Sequence, residues 1–214
     1  MNWLARFFRR SKPPLDADLL RRIRASFEEA ASDEEQFPST VDPRIYHVQL
    51  IVERFGDLQG KRVLDVGCGK GRFARVLKDR NPGAILVAFE LAEAMLRFVP
   101  RGIHRAAGSM TALPFETGCF DAVYATESIE HAVDIELAVS EMCRVVRPSG
   151  PLIIIDKNAR HWGRLQTPEW ETWFKRRQLE RLLRRHCREV SSRYISYWAD
   201  VAPDGLFIAW LARK

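Results

Sequence analysis

The residues best suited to chemistry lie between positions 65 and 90. An apolar run, Val63-Leu64-Asp65-Val66, leads into Gly67-Cys68-Gly69-Lys70-Gly71 and then Arg72-Phe73. Glycines at alternate positions after such a run allow φ > 0 and let a ligand lie against bare main chain. Glu90 closes the next apolar run, roughly 20 residues further on, where a carboxylate at a strand end can reach both hydroxyls of a ribose. The pattern predicts recognition of a nucleoside-containing ligand.

The spacing narrows the ligand. Gly67, Gly69 and Gly71 read GxGxG, not the GxGxxG of dinucleotide sites. Asp65, just before the turn, would repel a pyrophosphate but attract an ammonium or a sulfonium. That favours S-adenosylmethionine over a nicotinamide dinucleotide.

These groups need a scaffold that brings strand ends together. Strands are predicted over 62–66, 84–90, 103–108, 119–126 and 152–156, alternating with helices over 70–79, 92–99 and 133–146. Buried, β-branched strands alternating with helices predict a parallel sheet covered on both faces. The tail differs: a helix over 179–186 precedes strands at 190–198 and 206–212, separated by Pro203-Asp204-Gly205. The expected fold is α/β, a Rossmann-like doubly wound, mostly parallel seven-stranded sheet with a C-terminal antiparallel hairpin and an N-terminal helical extension. The extension spans 1–43 and the domain 44–214. Within the extension, Asp16 or Asp18 caps a helix running to about residue 31, with Leu19, Leu20, Ile23 and Phe27 on one face.

Several blocks, in order, resemble the class I methyltransferases, closest to the subgroup that includes quinone-ring C-methyltransferases and many small-molecule enzymes. They are VLDVGCGKG, AFELAEAML, GSMTALPFETGCFDAV, TESIEHAVD and EMCRVVRPSGPLIII, covering about residues 60–156. The resemblance implies that Asp65, Gly67 and Gly69 border the methionine part of S-adenosylmethionine. It also implies that Glu90 holds the ribose, that Leu91 and Met110 lie against the adenine, and that Thr126 and Glu127 offer backbone groups near the methionine moiety. His131 would sit near the methyl-transfer face. Cys68 and Gly71 complete the cofactor loop. Ser109 stands where the family usually has an acid facing the adenine amino group, which lowers the expected affinity. Pro148-Ser149-Gly150 varies the usual Gly-Gly turn.

A sulfonium donor is already activated, so the protein's task is alignment and exclusion of water. A base is needed only if the acceptor must lose a proton. The candidates are Glu130, His131, Asp156 and His161. His131 and Asp156 are the two singled out, although His131 could instead cap the helix near Val133 and Asp156 the following loop. The aromatic segment 157–174 either covers an acceptor pocket or packs the tail helix onto the sheet. Arg44, Tyr46 or His47 is expected to reach the cofactor carboxylate. The predicted activity is methyl transfer from S-adenosylmethionine to a small-molecule or lipid-like acceptor. The alternatives are a catalytically silent cofactor-binding module or a nucleic-acid methyltransferase.

Composition agrees with one globular domain plus an extension. The chain has 214 residues, 46% hydrophobic and 29% charged, and no apolar run approaching the ~20 residues of a membrane span. The net charge of +6 is uneven. Basic residues cluster at 6–12 and 175–188, either solvated helix faces or contacts with anionic partners. Trp3, Leu4, Phe7 and Phe8 form a stripe beside Arg6, Arg9 and Arg10, so residues 2–10 either touch a membrane surface peripherally or dock on protein. Nucleic acid is disfavoured because no base-handling motif occurs. Four cysteines without CxxC spacing predict free thiols in a reducing cytoplasm and no metal site.

Overall fold

The computed structural model describes residues 16–198 and 200–214. The stripe at 2–10, expected to touch a membrane surface or dock on protein, lies outside them. Seven strands form one sheet: β1 (Arg62–Val66), β2 (Ile85–Glu90), β3 (His104–Ala107), β4 (Ala122–Thr126), β5 (Pro151–Lys157), β6 (Glu189–Ile195) and β7 (Phe207–Arg213), in the order β3-β2-β1-β4-β5-β7-β6. β1 to β5 pair in parallel, and β7 runs antiparallel to both β5 and β6. The order reverses between β1 and β4, and a ligand crevice forms at the carboxyl ends of strands beside such a reversal.

Strand alternation assigns side chains to two cores. Val63, Ile153 and Ile155 face one side of the sheet with Leu50, Ile51 and Leu77, from α2 (Tyr46–Phe55) and α3 (Arg72–Arg80). Leu64, Val66, Leu152 and Ile154 face the other with Val139, Met142, Leu179 and Leu183, from α5 (Ile135–Val145) and α6 (Arg176–Leu183). Asp134 starts α5, its carboxylate accepting from the Leu137 amide at 2.8 Å. Asp16, not Asp18, starts α1 (Ala17–Glu29), accepting from the Leu19 amide at 2.9 Å.

Three sequence expectations need correction. Cys119 precedes β4, which starts at Ala122, because the 119–121 segment bridges to Val146 at the end of α5. The helix expected over 92–99 is a single turn, α4 (Glu93–Leu96), continued by tight turns in which the Phe98 and Val99 amides donate to the Met95 and Leu96 carbonyls. β6 stops at Ile195, and Trp198 pairs with Ile45 instead. β7 lies between β5 and β6, and β6 forms the edge of the sheet. Among the described residues no helix is long and apolar enough to cross a membrane.

Candidate functional site

A cavity of about 490 Å³ opens at the carboxyl ends of β1, β2, β4 and β5. One half is built largely from backbone. The turn after β1 takes Gly67, Gly69 and Gly71 to φ of +71°, +53° and +75°. At Gly67 a Cβ would lie 2.5 Å from that of Ser128, whose hydroxyl donates to the Val66 carbonyl at 2.9 Å. Only glycine allows the β1 and β4 turns to approach so closely. At Gly69 a Cβ would meet nothing within 4 Å, so the loop presents bare main chain there.

Glu90 sits opposite. One carboxylate oxygen accepts from the Gly69 amide at 2.9 Å, the other from Leu91 at 2.7 Å and Ala92 at 3.1 Å. The turn and the end of β2 are thereby locked together. Burial raises the Glu90 pKa, against the lowering effect of the three amides. Asp65 accepts the Tyr124 hydroxyl proton at 2.8 Å, and burial pushes its pKa up to about 7. Cys68, Leu91, Ser109, Met110, Thr126 and Glu127 also line the cavity. Glu127 adopts φ +51°, unusual outside glycine and frequent at functional turns. It accepts from Arg72 at 3.1 Å. The Thr126 hydroxyl is buried with no hydrogen-bond partner. The Ser109 hydroxyl shares a hydrogen bond with Thr111 at 2.7 Å. Gly71 starts α3 and does not line the cavity.

The other half is built from side chains of distant segments. Ile23 and Phe27 of α1, with Phe37, Leu165 and Trp170, give apolar walls. Lys70 latches this roof: its ammonium donates to the Asp33 carbonyl at 3.1 Å and to Glu34 at 2.7 Å, holding the Glu34 pKa down to about 2. Glu28 of α1 accepts the Glu93 and Ala94 amides at the start of α4, at 2.7 and 3.0 Å.

The floor of this half is ionic. Lys157 donates to Glu130 and, at 3.3 Å, to Glu171, which also accepts from the Trp173 indole at 2.7 Å. Asp156 is fully buried and accepts the Glu130 amide at 3.2 Å. Burial first, and Asp156 second, raises the Glu130 pKa, against the lowering effect of Lys157. Burial also raises Glu171. His131 accepts the Trp170 indole proton at Nδ1, 3.3 Å away, so Nε2 carries the ring hydrogen. Nε2 lies 3.6 Å from Glu130 and 3.7 Å from Glu171. Burial, aided by Lys157, lowers the His131 pKa to about 3, leaving the ring neutral.

Glu130, His131 and Glu171 could also hold a metal ion, with ligand atoms within 4.8 Å of one another. The Lys157 ammonium already serves these carboxylates as their cation, and the Nε2 hydrogen occupies the imidazole's ligand position.

The expected residues are thus divided. Asp65, Gly67, Cys68, Gly69, Glu90, Leu91, Ser109, Met110, Thr126, Glu127 and His131 line one cavity, whereas Asp156 lies beneath it. Arg44, Tyr46 and His47 do not reach it. Arg44 pairs with Asp42, Tyr46 lies under Arg193, and His47 is buried against Phe73 and Phe207 with both ring nitrogens unpartnered. α2 packs broadside on the sheet, which turns His47 inward, while Arg44, just before the helix, stays exposed. Of the aromatic segment, residues 165–168, Trp170 and Glu171 line the cavity, while Trp162 and Trp173 pack on each other. No residue of the basic 175–188 stretch lines it. Sequence reasoning missed Arg72, Lys157 and Glu171. Arg72 carried a signal, its place directly after the glycine turn; Glu171 carried only its proximity to tryptophans.

Residues 64–154 match the model of a family described as "Methyltransferase domain". The demethylmenaquinone methyltransferase of Thermus thermophilus is 35% identical over 103 residues, 45% of this chain and 47% of that protein. The fatty-acid O-methyltransferase of Mycolicibacterium smegmatis is 33% identical over 120 residues, 54% of this chain and 42% of that protein. The chain thus spans about half the length of the curated relatives it matches. Among solved structures, geranyl diphosphate C-methyltransferase from Streptomyces coelicolor A3(2), in complex with Mg2+, geranyl diphosphate and S-adenosyl-L-homocysteine, superposes with a TM-score of 0.67. Identity there is 16%, covering 94% of this chain and 99% of that one, so the likeness is one of fold. The glycine turn, the Glu90 carboxylate and the centre of the sheet thus lie in a stretch, residues 64–154, that matches a methyltransferase domain, within a fold shared with a solved methyltransferase.

Proposed function

We propose that the chain transfers a methyl group from S-adenosylmethionine to a small apolar or lipid-like acceptor held under α1 and residues 165–171. The observation that carries this reading is the continuity of the cavity from the Glu90 cradle to the Glu130–Lys157–Glu171 floor. The residues fit the cofactor. Glu90 is already oriented for a diol, Gly69 leaves its main chain uncovered, and the Thr126 hydroxyl is a buried polar atom awaiting a partner. Asp65 and Glu127 supply negative charge on the side where a cationic group would lie.

The cofactor supplies an activated methyl group, and the chain's residues align the acceptor and exclude water. The apolar walls suit acceptors of the classes named in the relatives, a quinone ring and a fatty acid. Glu171 takes the acceptor's proton where one must leave, since it lines the cavity and burial raises its basicity. His131 lies beside the Glu130 and Glu171 carboxylates, with Nε2 3.6 and 3.7 Å away, and is held in place by Trp170. Asp156 is a positioning residue, acting through Glu130.

Titration calorimetry with S-adenosylmethionine and S-adenosylhomocysteine tests the reading, followed by labelled-methyl transfer to a naphthohydroquinone and to a long-chain fatty acid. Micromolar binding of both cofactor forms, with transfer to one acceptor, is expected. Absence of binding to both forms would end it.

A further inference from the structure

Away from the cofactor cavity, α5 and the turn after α6 bring two thiols together. Cys143 of α5 and Cys187 lie with their sulfurs 3.7 Å apart. All four cysteines are free. Cys143 is buried in the core, whereas Cys187 lines a second cavity of about 380 Å³ with Ser149, Arg184, Arg185, Arg188 and Lys214. His186 and Pro148 complete that lining, and no carboxylate side chain belongs to it. Arg185 is paired with Glu136, Arg184 donates to the Val190 carbonyl at 2.9 Å, and the Lys214 ammonium caps the end of α5 through the Arg144 and Val146 carbonyls. No ion pair involves Arg188 among those described. The side chains lining the cavity are therefore mostly cationic, and Cys187 is among them.

Two buried cysteines in contact can be no more than small apolar packing. Three features go beyond that: the sulfurs touch, one faces an open cavity, and cations surround it. A thiolate is the attacking species in disulfide exchange, and positive surroundings favour it. The hydrogen bond from Cys143, with Lys214 adding to it, lowers the Cys187 pKa against the effect of burial, and the same hydrogen bond, followed by burial, raises that of Cys143.

We propose that Cys187 and Cys143 form a thiol–disulfide exchange site for small anionic disulfides. The Cys187 thiolate attacks one sulfur of the incoming disulfide; its S–S bond breaks and the electron pair leaves with the first thiolate. Cys143 then gives up its proton to that leaving thiolate and attacks the Cys187 sulfur, expelling the second thiolate, which is protonated from solvent. The protein dithiol is oxidised by two electrons and the incoming disulfide is reduced to two thiols. The sulfurs must close from 3.7 Å to about 2.05 Å, which joins α5 to the α6–β6 turn.

The test treats the reduced full chain, natively folded, with oxidised glutathione and, separately, with the neutral disulfide of 2-mercaptoethanol. Peptide mass spectrometry then reads the products. The expected result is a 143–187 cross-linked peptide and a raised melting temperature. Cys143→Ser should stop at one glutathione on Cys187, and Cys187→Ser should leave Cys143 unmodified. Arg185→Ala with Arg188→Ala should slow oxidised glutathione by about tenfold but the neutral disulfide by no more than about twofold. A stable glutathione adduct on wild-type Cys187 with Cys143 still reduced would overturn the proposal. So would modification confined to Cys68 and Cys119, or equal slowing with both disulfides. None of these readouts depends on methyl transfer.

Discussion

The two halves of the main cavity are made of different material. The half around Glu90 holds its shape through main chain: three glycines at positive φ, and a carboxylate on three amides. The half proposed for the acceptor holds its shape through side-chain charge: Lys157 between Glu130 and Glu171, with Lys70 latching the roof. Backbone geometry is fixed once the strands pair, so a ligand made there meets a preorganised surface. A buried ion cluster is different, because removing one member leaves another charge unpaired. The first half should thus fail by losing affinity, and the second by losing stability or turnover.

The largest effect expected is from Gly67→Ala. The added methyl group meets the Ser128 side chain at 2.5 Å, and the position needs φ +71°. Cofactor affinity should fall by more than ~100-fold in calorimetry, about 2.7 kcal/mol, with a lower melting temperature. Next, Lys157→Met leaves Glu130 and Glu171 facing each other in a site where the lysine side chain is only 13% exposed. Denaturant unfolding should show a loss of about 3 kcal/mol, while cofactor affinity stays within a few-fold. If Lys157→Met instead abolished cofactor binding in a folded protein, the division between the halves would be wrong.

Glu90→Ala removes the acceptor of three amides, and affinity for S-adenosylmethionine and S-adenosylhomocysteine alike should fall by roughly 10- to 100-fold, the value of one or two charged hydrogen bonds. Equal retention of the labelled donor would remove the ribose assignment. A smaller effect concerns pH. Burial raises the Asp65 pKa to about 7, and a cationic ligand favours the ionised form. Affinity for S-adenosylmethionine should therefore rise with pH up to about 7, by at most about tenfold per unit, and then level off. The Asp65→Asn variant should show a flat profile. The sign for folding is the reverse. The folded state binds more protons than the unfolded one between about pH 4 and 7, so this group's contribution to stability falls as pH rises through that window. Smallest of all, Ser109→Asp should tighten cofactor binding by a few-fold, by restoring an acid beside the adenine position.

The same division explains what could be read without coordinates. β1, the glycine turn, α3 and β2 follow one another in the chain, and their periodicities and φ requirements are local. Asp65, the glycines and Glu90 could therefore be named from spacing. Glu171 and Lys157 belong to segments flanking β5, Ile23 and Phe27 to α1, and Phe37 to the loop beyond it. No local pattern links them. The Arg44–His47 expectation failed for the same reason: the sequence marks α2 as amphipathic but not the direction in which its apolar face docks.

Sequence by itself determined the alternation of strands and helices, the parallel character of β1 to β5, and the main-chain half of the cavity. These depend on residues a few positions apart, through side-chain period, glycine φ and strand burial. Tertiary structure decided that β7 enters between β5 and β6, that α1 lines one half of the main cavity, and that two cysteines 44 positions apart touch. Those outcomes rest on long-range packing of apolar faces and on pairing of buried charges, whose partners are chosen only when the whole chain is compact.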